Sequence, residues 1–255
     1  MDRYTVPLIG ESFGYCRHPD SVTISANKSR DQGKAITMTA QAILFDHDGT
    51  LVDSEPEHHK MWIDILHEFG VSLSHEEYKK SYAGMPSDTN ARNLVARFQL
   101  DIDAIDLYEK KNSVTRDYLS RGAFPLMPGV QTALDYLHDS GFKLGVVTGA
   151  GREGIDSTIR GHAMQKYFST IVCKDDVVHS KPSPDCYLLA LENLGLSASQ
   201  AIAIEDTEHG VASATQAGIR CLAIPNEMST EHDFSAATKL FSDLDSARQW
   251  IVNGD

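Results

Sequence analysis

The 255-residue sequence predicts an α/β fold: a doubly wound parallel sheet with an inserted helical cap domain. Short continuous apolar runs recur along the chain, as is typical of strands that are covered on both faces. Segments with helical periodicity separate the later runs, and strands that alternate with helices are connected by parallel crossovers. The predicted strands are residues 42–45, 144–147, 171–173, 201–204 and 221–224.

Residues 46–143 separate the first two strands, which is far more chain than one crossover helix needs. Most of this insert has the periodicity of helices, beginning with residues 58–69 and stopping at Gly70. Further helices are predicted over residues 74–82, 88–98 and 101–121. We expect residues 55–123 to form a helical cap over the carboxyl edge of the sheet.

The catalytic core is expected to comprise residues 40–54 and 124–255, on either side of the cap. Met61 and Trp62 are large apolar residues of the cap, and we expect them to pack inside it rather than against a substrate. Residues 1–39 contain scattered turn formers and no sustained periodicity. We therefore expect a weakly ordered N-terminal extension, to which the sequence assigns no function.

Composition excludes several classes of protein. The formal net charge of −13 argues against a nucleic-acid-binding surface, and it means that an anionic substrate must be attracted by a local cation or metal. No apolar stretch reaches membrane-spanning length, and the N-terminus lacks a signal pattern. The four cysteines form no CxxC pair and are interpreted as small buried residues of a reducing compartment. We expect a cytoplasmic monomer or weak dimer that binds neither nucleic acid nor membrane.

Polar residues follow the predicted strands at the carboxyl edge of the sheet, where open parallel sheets bind ligands. They are Asp46 and Asp48 after the first strand, Thr148 after the second, Lys181 beyond the third, and Glu205 and Asp206 after the fourth. Taken singly, each could be a turn former, a helix cap or a solvated lysine. Their convergence on one edge is what predicts a functional site.

This set of groups suits phosphoryl transfer. Asp46 can attack the phosphate to give an aspartyl-phosphate, which water then hydrolyses. Asp48 is placed to act as general acid on the leaving oxygen and then as base toward water. Lys181 supplies a positive charge beside the phosphate, and Thr148 can donate a hydrogen bond to a phosphate oxygen. We expect the substrate to be a small phosphorylated metabolite.

Mg²⁺ is the expected cofactor, because it takes oxygen ligands and needs few carboxylates while it keeps several waters. The candidate ligands are Asp46, Asp48, Glu205 and Asp206. His47 lies between the two aspartates of the first strand end. We expect its side chain to be a bystander rather than a ligand.

These residues closely resemble the four motifs of the haloacid dehalogenase superfamily of phosphohydrolases, in its branch with a helical cap after the first motif. The motifs are matched by residues 44–51, 147–149, 181–185 and 205–207, the last followed by Gly210. The resemblance runs from about residue 40 to the end, and it implies a Rossmann-like core and a magnesium-dependent phosphatase. Asp48, which the superfamily's dehalogenases and phosphonatases lack, favours phosphoester hydrolysis.

Residues 52–56, with His58 and Trp62, resemble the β-phosphoglucomutase and sugar-phosphatase group, in which this segment is the cap hinge and the first cap helix. By that likeness Glu55 and His58 lie near the active site. A hinge with a solvated glutamate and a helix-capping histidine is an equal alternative.

Gly84 marks the cap loop, which belongs to the candidate substrate site by the same likeness. The mutases carry an arginine shortly after this glycine to hold a second phosphate, whereas Ser87 and Asp88 stand here. That difference disfavours mutase activity and favours a substrate with one phosphate. Arg152, after the second strand, is the remaining candidate cation for substrate or phosphate, and a surface arginine is the alternative.

The leading hypothesis is hydrolysis of a small phosphomonoester, with sugar phosphates ahead of phosphoglycolate. A β-phosphoglucomutase-type phosphotransferase is the alternative enzyme. A phospho-receiver signalling domain also gathers aspartates, a threonine and a lysine around Mg²⁺, but it is about half this length and has no cap. An inactive scaffold on the same fold is disfavoured because Asp46, Asp48 and Lys181 are all present.

Overall fold

The structure is a computed structural model in which residues 40–253 are described. The predicted N-terminal extension, residues 1–39, lies outside the described residues. None of the helices between residues 40 and 253 is long and apolar enough to cross a membrane.

A six-stranded sheet with every neighbouring pair parallel forms the centre of the described chain, in the order β3-β2-β1-β4-β5-β6. The strands are β1 Ala42–Phe45, β2 Lys143–Val147, β3 Phe168–Val172, β4 Ala201–Glu205, β5 Arg220–Ala223 and β6 Lys239–Leu240. The first five confirm the predicted strands and the doubly wound α/β fold. The sixth is two exposed residues long, which is too short to produce an apolar run.

The sheet reverses its winding direction between β1 and β4. The chain proceeds from β1 to β2 and β3 on one side, and then crosses to β4 and β5 on the other. Phe45 pairs with Ile204, so the two strands end side by side. A crevice forms where connections leave in opposite directions, and ligands bind there in sheets of this kind.

Both faces of the sheet are covered, which explains the continuous apolar strands. Ala42 and Leu44 pack into a cluster on one face, while Ile43 and Phe45 pack into a second cluster on the other. The covering helices are α5 Val130–Asp139, α7 Asp185–Leu194, α8 Glu208–Gln216 and α9 Leu244–Asn253. A further helix, α6 Arg152–Gly161, follows β2 and contacts α4 Ala104–Arg121 of the inserted segment.

Four helices lie between β1 and α5: α1 Glu55–His67, α2 His75–Ser81, α3 Ser87–Phe98 and α4 Ala104–Arg121. They share a buried cluster of their own, built around Trp62, Leu94 and Leu107. Met61 is also buried, but it packs in a separate cluster with Val52, which precedes α1, and Phe124, which follows α4. The division into a cap at residues 55–123 and a core remains a prediction.

Candidate active site

The ammonium of Lys181 lies at the centre of the carboxyl edge. Its Nζ is 2.5 Å from Oδ1 of Asp46 and 2.6 Å from Oε1 of Glu205, and it donates to the Val147 carbonyl at 2.8 Å. The Lys181 side chain is only 8% exposed. Burial alone would lower the pKa of Lys181, but the two carboxylates outweigh it and raise the pKa. Lys181 is therefore a permanent cation between the ends of β1 and β4.

Three carboxylates gather at this point. Asp46, Glu205 and Asp206 are all buried, and each offers an oxygen that lies within 4.8 Å of the others. Burial raises the pKa of Asp46 to about 7 and that of Asp206 well above its ordinary value, with the neighbouring carboxylates adding to both shifts. One ammonium does not balance three carboxylates in a buried site, so the donor set favours an additional cation.

Glu205 supports the same conclusion. Its Oε2 is buried and has no hydrogen-bond partner among the residues that the structure describes. A buried carboxylate oxygen normally has a partner, because desolvation without one is costly. A divalent metal held by oxygen ligands would satisfy this atom, and the residues present therefore fit such an ion.

Two glycines let the backbone approach these carboxylates. A Cβ at Gly49, where φ is +84°, would lie 2.1 Å from Oδ2 of Asp206, and a Cβ at Gly210 would lie 1.8 Å from Oε2 of Glu205. No side chain tolerates such distances. The packing of the acidic cluster thus requires both Gly49 and Gly210, and the backbone conformation of the turn is a second requirement at Gly49.

Two further side chains hold the acidic cluster in place. Tyr187 on α7 donates its hydroxyl to Oε1 of Glu205 at 2.7 Å. Asn226 donates Nδ2 to Oδ2 of Asp206 at 2.7 Å and to the Gly49 carbonyl at 3.2 Å. The sequence analysis missed both. Asn226 follows β5, so the rule applied to the other strand ends would have found it.

Asp48 lies close by but outside the cluster of three acids. Its Oδ1 accepts from the Ser54 hydroxyl at 2.6 Å, and its Oδ2 lies 3.0 Å from Nδ1 of His47. Burial alone would raise the pKa of Asp48, but His47 and Ser54 together hold it well below its usual range. A metal-ligand role for the Asp48 side chain remains a prediction.

His47 makes two contacts that the sequence analysis did not predict. The ring is buried, and its second nitrogen, Nε2, lies 2.9 Å from the hydroxyl of Thr158 on α6. Burial lowers the pKa of His47, but the adjacent Asp48 carboxylate outweighs it and raises the pKa. The sequence gives no sign that Thr158 lies beside the first strand end, and the expectation that His47 is not a metal ligand remains a prediction.

Thr148 ends up where the sequence placed it, directly after β2. It is buried, and its Oγ1 accepts a hydrogen bond from the Ala150 amide at 3.0 Å. A hydroxyl that accepts can still donate its own hydrogen. Thr148 is therefore poised as a hydrogen-bond donor at the sheet edge.

Glu55 and Gly84, two of the predicted cap residues, contact each other. Glu55 Oε1 accepts from the Gly84 amide at 3.0 Å, and Oε2 accepts from the Tyr78 hydroxyl at 2.6 Å. Burial raises the pKa of Glu55. Glu55 therefore connects the start of α1 to the cap loop, and it is not the solvated hinge residue of the alternative interpretation.

His58, the third predicted cap residue, contacts a lysine that the sequence analysis missed. Nδ1 of His58 lies 3.1 Å from Nζ of Lys111 on α4. Burial, and then the charge of Lys111, lower the pKa of His58 to about 3, so the imidazole is neutral. Lys111 is 1% exposed, and its ammonium also donates to Thr115 at 2.8 Å.

Lys111 was overlooked because the run Glu109-Lys110-Lys111 looks like a solvated helix face. Its spacing offered a signal, since Leu107 and Lys111 are four residues apart on the face that turns inward. Burial lowers the pKa of Lys111 to about 8, despite the opposing charges of Glu55 and Asp48.

Arg152 does not present a free guanidinium to the site. It lies at the start of α6 after β2, as predicted, but its side chain forms an ion pair with Asp176, and its backbone amide donates to Asp175 at 2.9 Å. Both aspartates belong to the loop after β3. A substrate role for Arg152 remains a prediction that this pairing weakens.

Comparisons with known proteins agree with this architecture. Residues 43–224 match the family of haloacid dehalogenase-like hydrolases. The chain is 31% identical over 218 residues to protein CbbY of Rhodobacter capsulatus, which covers 82% of this chain and 96% of that protein. It is 28% identical to the fructose-1-phosphate phosphatase YqaB of Escherichia coli over 69% of this chain and 92% of that protein.

A solved structure extends the likeness to three dimensions. CbbY from Rhodobacter sphaeroides, in complex with xylulose-(1,5)bisphosphate, superposes with a TM-score of 0.69 at 26% identity and covers 81% of this chain and 95% of that one. The family match and the phosphatase relative confirm the predicted enzyme class, phosphoric monoester hydrolase. The chain therefore belongs to the haloacid dehalogenase-like hydrolases.

Proposed function

We propose that the protein is a magnesium-dependent phosphatase that removes phosphate from a small phosphorylated metabolite, a sugar phosphate in particular, through an aspartyl-phosphate on Asp46. One observation carries the proposal. The Lys181 ammonium, 8% exposed, joins Asp46 to Glu205 within a buried cluster of three carboxylates. Such a charge arrangement accepts both a divalent cation and a phosphate dianion, and the net charge of the protein alone would repel the latter.

Each side chain has a defined task in this proposal. An oxygen of Asp46 forms a bond to phosphorus while the bond to the leaving oxygen breaks. Asp48, which takes up a proton when the phosphate dianion binds beside it, gives that proton to the leaving oxygen. In the second step Asp48 takes a proton from water, which releases phosphate and restores Asp46. Lys181 and Thr148 stabilise the charge on the non-bridging oxygens.

Asp46, Glu205 and Asp206 are the groups that would hold Mg²⁺. When bound, Mg²⁺ supplies charge neutralisation between the carboxylates and the phosphate. Asn226 and Tyr187 keep the side chains of Asp206 and Glu205 oriented for it.

The preference for a sugar phosphate rests on the cap side chains and on the relatives. Lys111, His58 and Glu55 are polar groups that lie close to one another, and they interact electrostatically with Asp48. A hydroxyl-rich leaving group can exchange hydrogen bonds with such groups. The named substrate of one relative is fructose 1-phosphate, and a solved relative holds xylulose 1,5-bisphosphate, both of them phosphorylated sugars.

The deciding experiment is a phosphate-release screen over phosphorylated metabolites, with Mg²⁺ and with excess EDTA. Wild-type protein is expected to release phosphate from sugar phosphates only when Mg²⁺ is present. Asp46→Asn is expected to abolish release on every substrate, and Asp48→Asn to lower it by about 10²–10⁴-fold. Equal release by wild type and both variants would refute the proposal.

The mutase alternative gives a different product. A phosphotransferase would isomerise a sugar phosphate in the presence of a bisphosphate activator and would release little free phosphate. Asp88, which stands after the cap-loop glycine, is an anion, and it pairs with Arg92 on the same helix at 3.0 Å. That pairing offsets the charge of Arg92, which disfavours the binding of a second phosphate there. Product analysis by ³¹P NMR distinguishes the two reactions.

A further inference from the structure

His47 carries an inference that rests on the proposed function and goes beyond it. We propose that His47 is a positioning residue: its imidazole fixes the Asp48 carboxyl group for proton transfer to the leaving oxygen, and Thr158 fixes the imidazole. His47 itself neither gives nor takes a proton in the reaction.

The geometry restrains the ring from both ends. Nδ1 lies 3.0 Å from Oδ2 of Asp48, and Nε2 lies 2.9 Å from Oγ1 of Thr158. His47 is 1% exposed and Thr158 is 2% exposed, so water does not compete for either nitrogen. A buried histidine with both nitrogens bonded has one orientation available to it.

The Asp48 carboxylate determines the direction of its contact with His47, and the Thr158 hydroxyl is compatible with that direction. A carboxylate oxygen can only accept, so Nδ1 must carry the hydrogen that points toward Asp48. A hydroxyl can donate or accept, and it therefore satisfies Nε2 whatever that nitrogen carries. The result is an Nδ1–H group that is always directed at Oδ2.

Thr158 is a rigid support because its helix is fastened to the chain that returns from the cap. The neighbouring Ser157 donates to the Leu119 carbonyl at 3.3 Å, and Nε2 of His162 contacts the Phe124 carbonyl at 2.8 Å. A Cβ at Gly161 would lie 2.7 Å from the Ala123 Cβ, so the two segments approach each other closely. The position of Asp48 is thereby connected to α6 and to residues 119–124, which lead from the end of α4 back to the sheet.

Two donors from the segment between β1 and α1 fix the carboxyl plane of Asp48. Ser54 holds Oδ1 at 2.6 Å and His47 holds Oδ2 at 3.0 Å. Each carboxylate oxygen has a second lone pair, so proton transfer remains open to it. Without His47, one bond remains and the carboxyl group can rotate away from the leaving oxygen. A misplaced general acid loses rate because the geometry of transfer is lost.

The test compares two leaving groups. An alkoxide must be protonated as it leaves, whereas p-nitrophenolate leaves without help, so only the former depends on a correctly placed Asp48. In His47→Leu we expect kcat/KM for fructose 1-phosphate to fall by about 10–100-fold, and kcat/KM for p-nitrophenyl phosphate to fall by less than about 3-fold. kcat/KM reports only the steps up to the first departure of the leaving group.

The conservative variants separate positioning from structure. Asn at position 47 places an amide nitrogen close to where Nδ1 lies, so His47→Asn is expected to recover most of the fructose 1-phosphate activity, while His47→Gln recovers little. Thr158→Val is expected to reproduce part of the loss and Thr158→Ser none of it. In the ¹⁵N spectrum of histidine-labelled protein, His47 should carry a hydrogen on Nδ1, and its absence would contradict the contact with Asp48.

The outcomes are distinguishable from failure of the proposed function. If Asp46→Asn is inactive while His47→Leu lowers both kcat/KM values equally, His47 has a merely structural role and the positioning proposal is overturned. If Asp46→Asn keeps its activity, the proposed function fails and this inference fails with it. If His47→Leu does not fold, the comparison of His47→Asn with His47→Gln replaces it. Equal activity of these two variants contradicts the proposal.

Discussion

Two buried lysines respond to burial in opposite ways: Lys181 at the sheet edge, the core lysine, and Lys111 on α4 of the predicted cap, the cap lysine. Lys181 touches two carboxylates and has a raised pKa. Lys111 touches an imidazole, a hydroxyl and the Met61 thioether, all uncharged, and has a pKa lowered to about 8. Both side chains lose their hydration to a similar extent, so the difference comes from their partners.

The difference shows that neighbouring residues stabilise the charge of the core lysine but not that of the cap lysine. The core lysine is part of a cluster whose excess charge is negative, so it stabilises the fold around it and prepares the site for a cation. Burial of the charged cap lysine, in contrast, lowers the stability of the fold. Groups with a strongly shifted pKa cluster at functional sites, which makes Lys111 a candidate substrate contact.

Removal of the core lysine is expected to have the largest effect. Lys181→Met leaves Asp46 and Glu205 buried without their counter-charge, which costs about 3–5 kcal/mol of unfolding free energy. Activity should fall below detection, because the phosphate and the nucleophile lose the same cation. Urea denaturation in EDTA at pH 7.5 measures the first effect. An unchanged midpoint would mean that the ion pairs contribute nothing.

The same substitution in the cap is the matched comparison and should act in the opposite direction. Lys111→Met replaces a buried ammonium by an apolar chain of similar length, and we expect unfolding free energy at pH 7.5 to increase by about 1–3 kcal/mol. The KM for fructose 1-phosphate should rise about tenfold if the ammonium meets the sugar. A destabilised variant would show that the contacts with His58 and Thr115 outweigh the cost of burial.

The predictability of these two lysines from sequence differed for a physical reason. Lys181 lies beyond a strand end, and strand ends meet at one edge of a parallel sheet, so its neighbours followed from topology alone. The partners of Lys111 include His58 and Met61 of α1, and only the folded structure brings α1 beside α4. Leu107, four residues earlier, was the single local sign that this face turns inward.

The distinction between local sequence patterns and contacts made only on folding also applies to the rest of the site. Strands β1–β5 were predicted because continuous apolar runs are a local property, and β6 was missed because two residues make no run. Asp46, Glu205 and Asp206 follow those strands directly. Tyr187 lies within the apolar pattern of α7, and Thr158 is 111 positions away from His47, so neither contact has a local signature.

The pH dependence of stability sharpens the comparison between the lysines. The pKa of Lys111 is about 8 in the folded protein and 10.5 is its ordinary value, so between these pH values the unfolded chain binds more protons. Stability contributed by this group therefore rises with pH across that window. The advantage of Lys111→Met over wild type should shrink between pH 8 and 10.5, by up to about 3 kcal/mol. Denaturation midpoints of both proteins across this range provide the measurement, and a constant difference would contradict the lowered pKa.

The smallest expected effect concerns the support of the core cluster. Tyr187→Phe removes the hydroxyl that bonds Glu205 but keeps the ring, whose centroid lies 5.2 Å from the Lys181 ammonium. Oε1 of Glu205 remains bonded to Lys181, so the loss should be limited to about 1 kcal/mol. Tyr136→Phe, at a half-exposed position on α5, is the control and should change stability by less than about 0.5 kcal/mol. Equal denaturation midpoints for the two variants would show that Lys181 alone satisfies Glu205 and that the buried hydroxyl adds nothing to the core cluster.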